Sequence, residues 1–96
     1  MIASFKDKAT ENLYHGQRSK RGQRFPPDVI QAAHRKLDLL NAAKQLSDLM
    51  APPGNRLEAL KGDLRGYHSI RINDQWRVIF RWSGSDAHDV QVTDYH

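Results

Sequence analysis

The chain contains no cysteine and no long hydrophobic run. Without cysteine it has neither a disulfide framework nor thiolate chemistry, which fits a reducing cytosol. No stretch approaches the roughly 20 apolar residues of a membrane span. The first ten residues, MIASFKDKAT, lack the apolar segment of a signal peptide. We therefore expect a cytoplasmic protein that does not contact a membrane.

Patterns typical of metal and nucleotide sites are also missing. Four histidines are scattered without the paired spacing of a zinc site: His15, His34, His68 and His88. The segment APPGNR contains glycine and proline but does not have the spacing of a phosphate-binding loop. We predict that the protein uses neither a metal ion nor a cofactor.

Composition and length indicate one small globular domain. The 96 residues, of which 39% are hydrophobic and 27% charged, suit a single domain over residues 1–96. The net charge of +4 favours a polyanionic partner through counterion release. Because many small soluble proteins are mildly basic, the position of the charge is more informative than its sum.

The first half of the chain has helical patterns after a short extended segment. MIASFK predicts an N-terminal strand, and Asp7 or Thr10 is a suitable cap for a short helix before Gly16. The pattern of residues 26–50 predicts a long helix, which is followed by a bend near NAAKQ and then by a short helix. Apolar residues recur along the long helix at helical spacing: Ile30, Ala33, Leu37, Leu40 and Ala43.

After Gly54 the period changes to the alternation of β-strands. YHSIRIND, QWRVIFRW and VQVTDYH are separated by turn residues and predict a three-strand antiparallel meander. Alternation sets apolar residues on one face: Ile70, Trp76, Val78, Phe80, Trp82, Val90 and Val92. We therefore predict an α+β fold: an N-terminal strand, two helices and the meander, with the helices packed on one face of the sheet.

Arginines dominate the other face of the predicted meander. Arg71, Arg77 and Arg81 fall on the same side by alternation, and guanidinium groups are well suited to bind phosphate. The alternative is a solvated basic face in which acids such as Asp74 or Asp94 neutralise the arginines.

Proton-transfer groups follow the last strand of the meander. Lys61 precedes the meander, and Tyr95 and His96 end the chain. An imidazole can move a proton near neutral pH, and arginine and lysine stabilise developing negative charge. If these groups converge, they suit metal-free RNA cleavage by the 2′-hydroxyl.

A basic segment without periodicity lies between the two helices. We predict that residues 17–25 form a mobile basic loop, which is either a solvated linker or a contact for RNA or a partner protein. Its cations are Arg18, Lys20, Arg21 and Arg24.

The segment LEALKGDLRGYHSIRINDQWRVIFRW, followed by DYH and preceded by the MIASFK start, resembles the HigB toxins of the RelE-like superfamily. The resemblance covers nearly the whole chain and implies the RelE-like microbial ribonuclease fold. It also implies a bacterial type II toxin that cleaves messenger RNA in the A site of the 30S ribosomal subunit. A HigA-type helix-turn-helix antitoxin would neutralise the toxin, and operator DNA would be bound only through the antitoxin complex.

The same resemblance assigns roles to individual residues. His96 is implied as the general acid or base, Tyr95 as its helper and Asp94 as the group that positions the imidazole or ribose hydroxyl. Arg77 and Lys61 would hold the scissile phosphate. Further candidates for RNA or phosphate binding are Arg71, Arg81 and Arg56.

One position departs from the family pattern. Some members have a catalytic histidine three residues before the lysine of LKGD, where this chain has Glu58. Either Glu58 acts as the base, or catalysis depends on His96 and is slower. The alternative function is a non-catalytic or weakly active homologue that binds RNA or protein and inhibits the ribosome or its assembly.

Overall fold

The computed structural model describes residues 1–16, 25–51 and 53–94. Two helices and a four-stranded antiparallel sheet with strand order β1-β2-β3-β4 make up this part of the chain. The elements are α1 (Lys8–Tyr14), α2 (Pro27–Ala42), β1 (Glu58–Ala59), β2 (Tyr67–Arg71), β3 (Trp76–Ser83) and β4 (Asp86–Asp94). Within the described ranges, neither helix is long and apolar enough to cross a membrane.

Both helices begin where the local chemistry favours it. The Asp7 carboxylate caps α1 by accepting a hydrogen bond from the backbone N–H of Thr10 at 2.9 Å. Helix α2 starts with Pro27, whose missing N–H costs nothing in the first turn, followed by Asp28. After α2 the chain bends and forms the 3-10 helix Leu46–Met50, which agrees with the predicted bend and short helix.

The core lies between the helices and one face of the sheet. Helix α2 buries Val29, Ala33, Leu37 and Leu40. The predicted core residue Ile30 is only partly buried, whereas its neighbour Val29 is fully buried. The sheet contributes apolar residues from all three strands of the meander: Ile70, Val78, Phe80, Ala87, Val90 and Val92. Trp76 and Trp82 pack against this cluster, as alternation predicts.

A β-bulge at Asp89 changes the alternation of β4. Ile79 pairs with Gln91, whereas Arg81 pairs with His88, so β4 has one extra residue between these pairs. Asp89 has a φ of 52° in the left-handed region, a conformation that bulged residues adopt. As a result, the side chains of Ala87 and Val90 both face the core, although regular alternation would put these residues on opposite faces.

The sheet differs from the prediction at both edges. The N-terminal segment is extended, but it pairs with β4 only through two isolated parallel bridges, Ile2 with Ala87 and Phe5 with Val90. On the other side, β1 adds a two-residue edge strand to the three predicted strands. Two residues are too few to produce an alternation pattern, which explains why the sequence did not predict β1.

Candidate active site

Three arginines share the face of the sheet that is opposite to the helices. Arg71 on β2 pairs directly with Arg77 on β3, and Arg81 pairs with Tyr67. Directly paired residues of an antiparallel sheet point to the same side, as do residues two apart on one strand. We call this surface, with Arg71, Arg77 and Arg81, the arginine face.

Each arginine of this face has a partner in the chain. The guanidinium group of Arg71 forms an ion pair with Asp74 in the turn before β3. Arg81 Nε donates to the Asp89 carboxylate at 2.9 Å, and Arg77 Nη1 donates to the backbone oxygen of Asn73 at 2.9 Å. Asp74 therefore behaves as the alternative interpretation predicts, and a bound phosphate has to compete with two carboxylates for this face.

The partners also hold the arginines in place. Arg71 keeps 25% of its side chain exposed and Arg81 keeps 53%. Exposed ion pairs contribute little to stability, typically about 0–1 kcal/mol, so an incoming phosphate can exchange with the carboxylates at low cost. A face with oriented but exchangeable guanidinium groups is well suited to bind a polyanion.

Glu58 lies on the arginine face. Glu58 in β1 pairs with Ser69, which is two residues before Arg71 on β2. The side chain of Glu58 is exposed. The carboxylate that replaces the family's histidine is therefore on the same side of the sheet as the guanidinium groups. Its negative charge opposes phosphate binding there.

The other two predicted cations lie in loops beside the sheet. Lys61 is exposed at the start of the 3-10 turn Gly62–Leu64, between β1 and β2. Arg56 is exposed and has a φ of 45°, which is an uncommon backbone conformation for a residue with a side chain. Both lie close in sequence to Glu58, at the β1 end of the sheet.

The predicted terminal group is only partly described. Asp94 pairs with Trp76 at the end of β4, and its carboxylate accepts a hydrogen bond from Gln75 Nε2 at 2.8 Å. The preceding residue, Thr93, pairs with Arg77. Tyr95 and His96 lie outside the described residues.

The predicted basic loop also falls mainly outside the described part of the chain, which omits Arg18, Lys20, Arg21 and Arg24. Phe25, the last residue of the predicted loop, is described and belongs to the core. It is buried and packs edge-to-face on Trp76, with the ring centres 5.5 Å apart. The chain has thus entered the folded core at Phe25, before α2 begins.

The structure adds residues to the arginine face that had no assigned role. Lys6 lies beside the ring of Tyr67, with Nζ 5.2 Å from the ring centre. Ser69 and Ile79 are almost fully buried on this face, at 1% and 3% exposure. Alternation along β2 already put Tyr67 and Ser69 beside Arg71, but Lys6 comes from a distant segment whose side the sequence pattern did not determine.

The described residues contain no cluster of three or more histidine, aspartate or glutamate side chains that would hold a metal ion. His68, on the core side, stacks on Phe80 with the ring centres 6.1 Å apart. The described side chains of the arginine face offer guanidinium and ammonium groups that bind negative charge, with the Glu58 carboxylate at one side.

Comparison with known proteins identifies the family. Residues 3–96 match the family described as RelE-like toxin of type II toxin-antitoxin system HigB. The chain belongs to the HigB-like toxins. Toxin HigB-1 of Vibrio cholerae is 48% identical to this HigB-like chain over 82 residues, which cover 85% of the chain and 84% of the relative. Endoribonuclease HigB of Proteus vulgaris is 31% identical over the full length of both proteins.

Solved structures confirm the RelE-like fold of this HigB-like chain. The YoeB-YefM complex from Staphylococcus aureus contains a chain that matches with a TM-score of 0.62 and 18% identity, covering 100% of the HigB-like chain and 98% of the other. The predicted α+β class and the predicted family are therefore correct.

Proposed function

We propose that this toxin is a ribosome-dependent endoribonuclease that cleaves messenger RNA in the A site of the 30S subunit. The observation that supports this most strongly is the direct pairing of Arg71 with Arg77 on the sheet face opposite to the helices of a HigB-like toxin. Two guanidinium groups on neighbouring strands provide the charge that a phosphodiester in its transition state needs. The name of the Proteus vulgaris relative, Endoribonuclease HigB, supports the same activity.

The proposed reaction needs no metal ion. A base removes the proton of the ribose 2′-hydroxyl, and the resulting oxygen attacks the adjacent phosphorus. The bond from phosphorus to the 5′-oxygen breaks, and an acid returns a proton to the leaving oxygen. The products are a 2′,3′-cyclic phosphate and a free 5′-hydroxyl.

The resemblance to the family assigns residues to the steps, and their chemistry suits these roles. His96 transfers a proton as general acid or base, because imidazole titrates near neutral pH. Arg77 and Lys61 bind the scissile phosphate, with Arg71, Arg81 and Arg56 holding the flanking backbone. Tyr95 assists the proton transfer or stacks on a base, and Asp94 positions the imidazole or the ribose.

The proposed partners follow from the family. A HigA-like helix-turn-helix antitoxin neutralises the toxin in the bacterial cytoplasm, and the complex contacts operator DNA through the antitoxin. The fold relative YoeB of Staphylococcus aureus was solved in a heterotetrameric toxin–antitoxin complex with YefM, which supports a protein partner of this kind. The basic residues Arg18, Lys20, Arg21 and Arg24 are proposed as a contact with the antitoxin or with ribosomal RNA.

One observation favours a second function. Glu58 brings a carboxylate to the arginine face where some family members have histidine. A carboxylate has no proton to donate, and its negative charge repels phosphate. A weakly active or non-catalytic homologue would inhibit the ribosome by binding alone.

Primer extension on messenger RNA after induction of the toxin in a bacterial host tests the proposed function. We expect new 5′ ends within the coding region of a translated message soon after induction. A matched message without a start codon should remain intact, and co-expression of the cognate antitoxin should abolish the new ends. Growth arrest without any cleavage would support the second function, and equal cleavage of both messages would contradict ribosome dependence.

A further inference from the structure

Lys6 and Tyr67 meet on the arginine face, although 61 positions separate them in sequence. Phe5 pairs with Val90 through a backbone bridge, and both side chains pack in the core. The side chain of the next residue, Lys6, therefore extends over the opposite face. The backbone N–H of Lys6 donates to the oxygen of Val90 at 2.9 Å, which fixes this segment at the edge of the sheet. The ammonium group reaches to 5.2 Å from the centre of the Tyr67 ring.

A second cation belongs to the residue paired with Tyr67 across the sheet. Tyr67 pairs directly with Arg81, whose Nε is held by the Asp89 carboxylate at 2.9 Å. An aromatic ring with adjacent cations is the arrangement by which proteins bind single-stranded RNA, since the ring stacks on a base and the cations hold the backbone. Lys6 and Tyr67 were not part of the site that the family pattern implied.

An unsatisfied hydroxyl lies beside this ring. Ser69 follows Tyr67 by two residues on β2 and therefore points to the same face. Its side chain is 1% exposed, and its Oγ has no hydrogen-bond partner in the described part of the chain. Buried polar groups in proteins are normally hydrogen-bonded, so this hydroxyl is available to a ligand that displaces the side chains above it.

We propose that Lys6, Tyr67 and Ser69 form a subsite for the nucleotide next to the scissile phosphate. The base stacks on the ring face of Tyr67 that Lys6 does not cover, and Lys6 and Arg81 hold the flanking phosphate. The Ser69 hydroxyl forms a hydrogen bond to the base edge or the ribose. This inference rests on the proposed ribonuclease function, and it makes the subsite a determinant of sequence preference.

Binding to ribosomes that carry a non-cleavable message tests the stacking. The message has a 2′-O-methyl group at the scissile nucleotide in the A site, so affinity is measured without reaction. We expect Tyr67→Leu to weaken binding about 5- to 150-fold, the range that corresponds to the loss of one stacked base. Tyr67→Phe keeps the ring and should bind within about twofold of the wild type.

Sequence preference is the readout that a purely structural role would not change. Unmodified messages that carry each of the four bases at the flanking position are cleaved by the wild type and by Tyr67→Leu. The wild type should show unequal rates. Tyr67→Leu should bring the four rates closer together, because the stacking contact that distinguishes the bases is lost.

Lys6 offers a test that does not depend on the stability of a buried site, because its side chain is exposed. Lys6→Gln should lower the salt dependence of binding by about 0.7 in the logarithmic slope, the value for one phosphate contact to a single strand. The matched control is Lys8→Gln. Lys8 is exposed on α1 and paired with Glu11, so its replacement should leave the slope unchanged.

The outcomes separate this inference from the proposed function. If the wild type cleaves translated messages but Tyr67→Leu and Lys6→Gln bind and cleave with unchanged affinity, preference and salt slope, the subsite is wrong and the ribonuclease function stands. If the wild type neither cleaves nor binds the programmed ribosome, both fail. Reduced affinity with a changed preference, in variants with wild-type circular dichroism and melting temperature, supports the subsite.

Discussion

Arg71 and Arg77 lie directly opposite each other on the neighbouring strands β2 and β3. Like charges at directly paired positions of a sheet are destabilising, by about 0.2–1 kcal/mol. We therefore expect the pair to cost stability while it provides guanidinium groups for the scissile and the flanking phosphate. This relationship is the structural basis for the RNA-binding role that we assign to the arginine face.

A double-mutant cycle should detect the repulsion between the two arginines. Arg71→Gln, Arg77→Gln and the double variant are compared by urea unfolding. We expect a repulsive coupling energy of about 0.2–1 kcal/mol, because the first substitution already relieves the repulsion that the second would remove. A coupling energy of zero or of attractive sign would show that the two charges do not oppose each other.

The Arg77→Gln variant also tests the role of Arg77 in cleavage. Arg77→Gln should lower single-turnover cleavage on programmed ribosomes about 100-fold, since it removes a donor to the developing phosphorane charge. Arg65→Gln is the matched control, because Arg65 is exposed in the loop before β2 and has no assigned role. Equal losses in both variants would mean that general charge, rather than position on the arginine face, determines the rate.

Replacement of Glu58 by histidine should increase the cleavage rate. Glu58→His introduces a group that can donate or accept a proton near neutral pH. We therefore expect the cleavage rate to rise by up to about 100-fold. The variant should also acquire a pH dependence near about 6.5. Glu11→His on α1 is the control. An unchanged rate would remove the link between Glu58 and activity, and a lower rate would identify Glu58 as the catalytic base.

Asn55 should be important for stability. It is fully buried, its Nδ2 donates to the backbone oxygen of Leu49 at 3.1 Å, and its Oδ1 accepts from Lys36 Nζ. Asn55→Ala leaves both partners without this bond and should lower the free energy of unfolding by about 1–3 kcal/mol. The exposed Asn41, which accepts from the Ile2 N–H, is the comparison, and Asn41→Ala should cost less. Equal costs in urea unfolding would contradict the structural role of Asn55.

The Tyr14 phenol should titrate above its ordinary value. Burial, with a smaller contribution from Asp38, raises the pKa of Tyr14 above 10.0. A raised folded-state pKa contributes stability that is present below about pH 10 and is lost as the pH rises through the folded-state value. Phenolate absorbance of the wild type minus that of Tyr14→Phe should therefore titrate above about pH 10. A difference curve centred at or below this value would contradict the raised pKa of Tyr14.

Local patterns predicted much of the fold. The helical period of α2 and the alternation of β2 and β3 identified the core residues Leu37, Val78 and Phe80, which are all fully buried. These features depend on neighbours in sequence, and the burial of one face makes the pattern strong. The assignment of the face that carries Arg71 and Arg77 followed from the same alternation.

Features that depend on distant contacts were not predictable in this way. The bulge at Asp89 requires a left-handed backbone conformation, and the segment SDAHDV lacks the glycine that would indicate one. The contact of Lys6 with Tyr67 depends on how the N-terminal segment pairs with β4. Non-local pairing of this kind leaves no periodic signal, so the position of Lys6 beside Tyr67 could be found only from the fold.

We propose that His96 and Arg77 act on the same phosphodiester. Single-turnover cleavage of a translated message by programmed ribosomes tests it with His96→Ala, Arg77→Ala and the double variant, and with the exposed His15→Ala as the control. We expect a large loss of cleavage rate in both single variants and no loss for His15→Ala. The double variant should be little slower than the slower of the two single variants. Unchanged cleavage by His96→Ala would show that the His96 imidazole does not transfer a proton in the reaction.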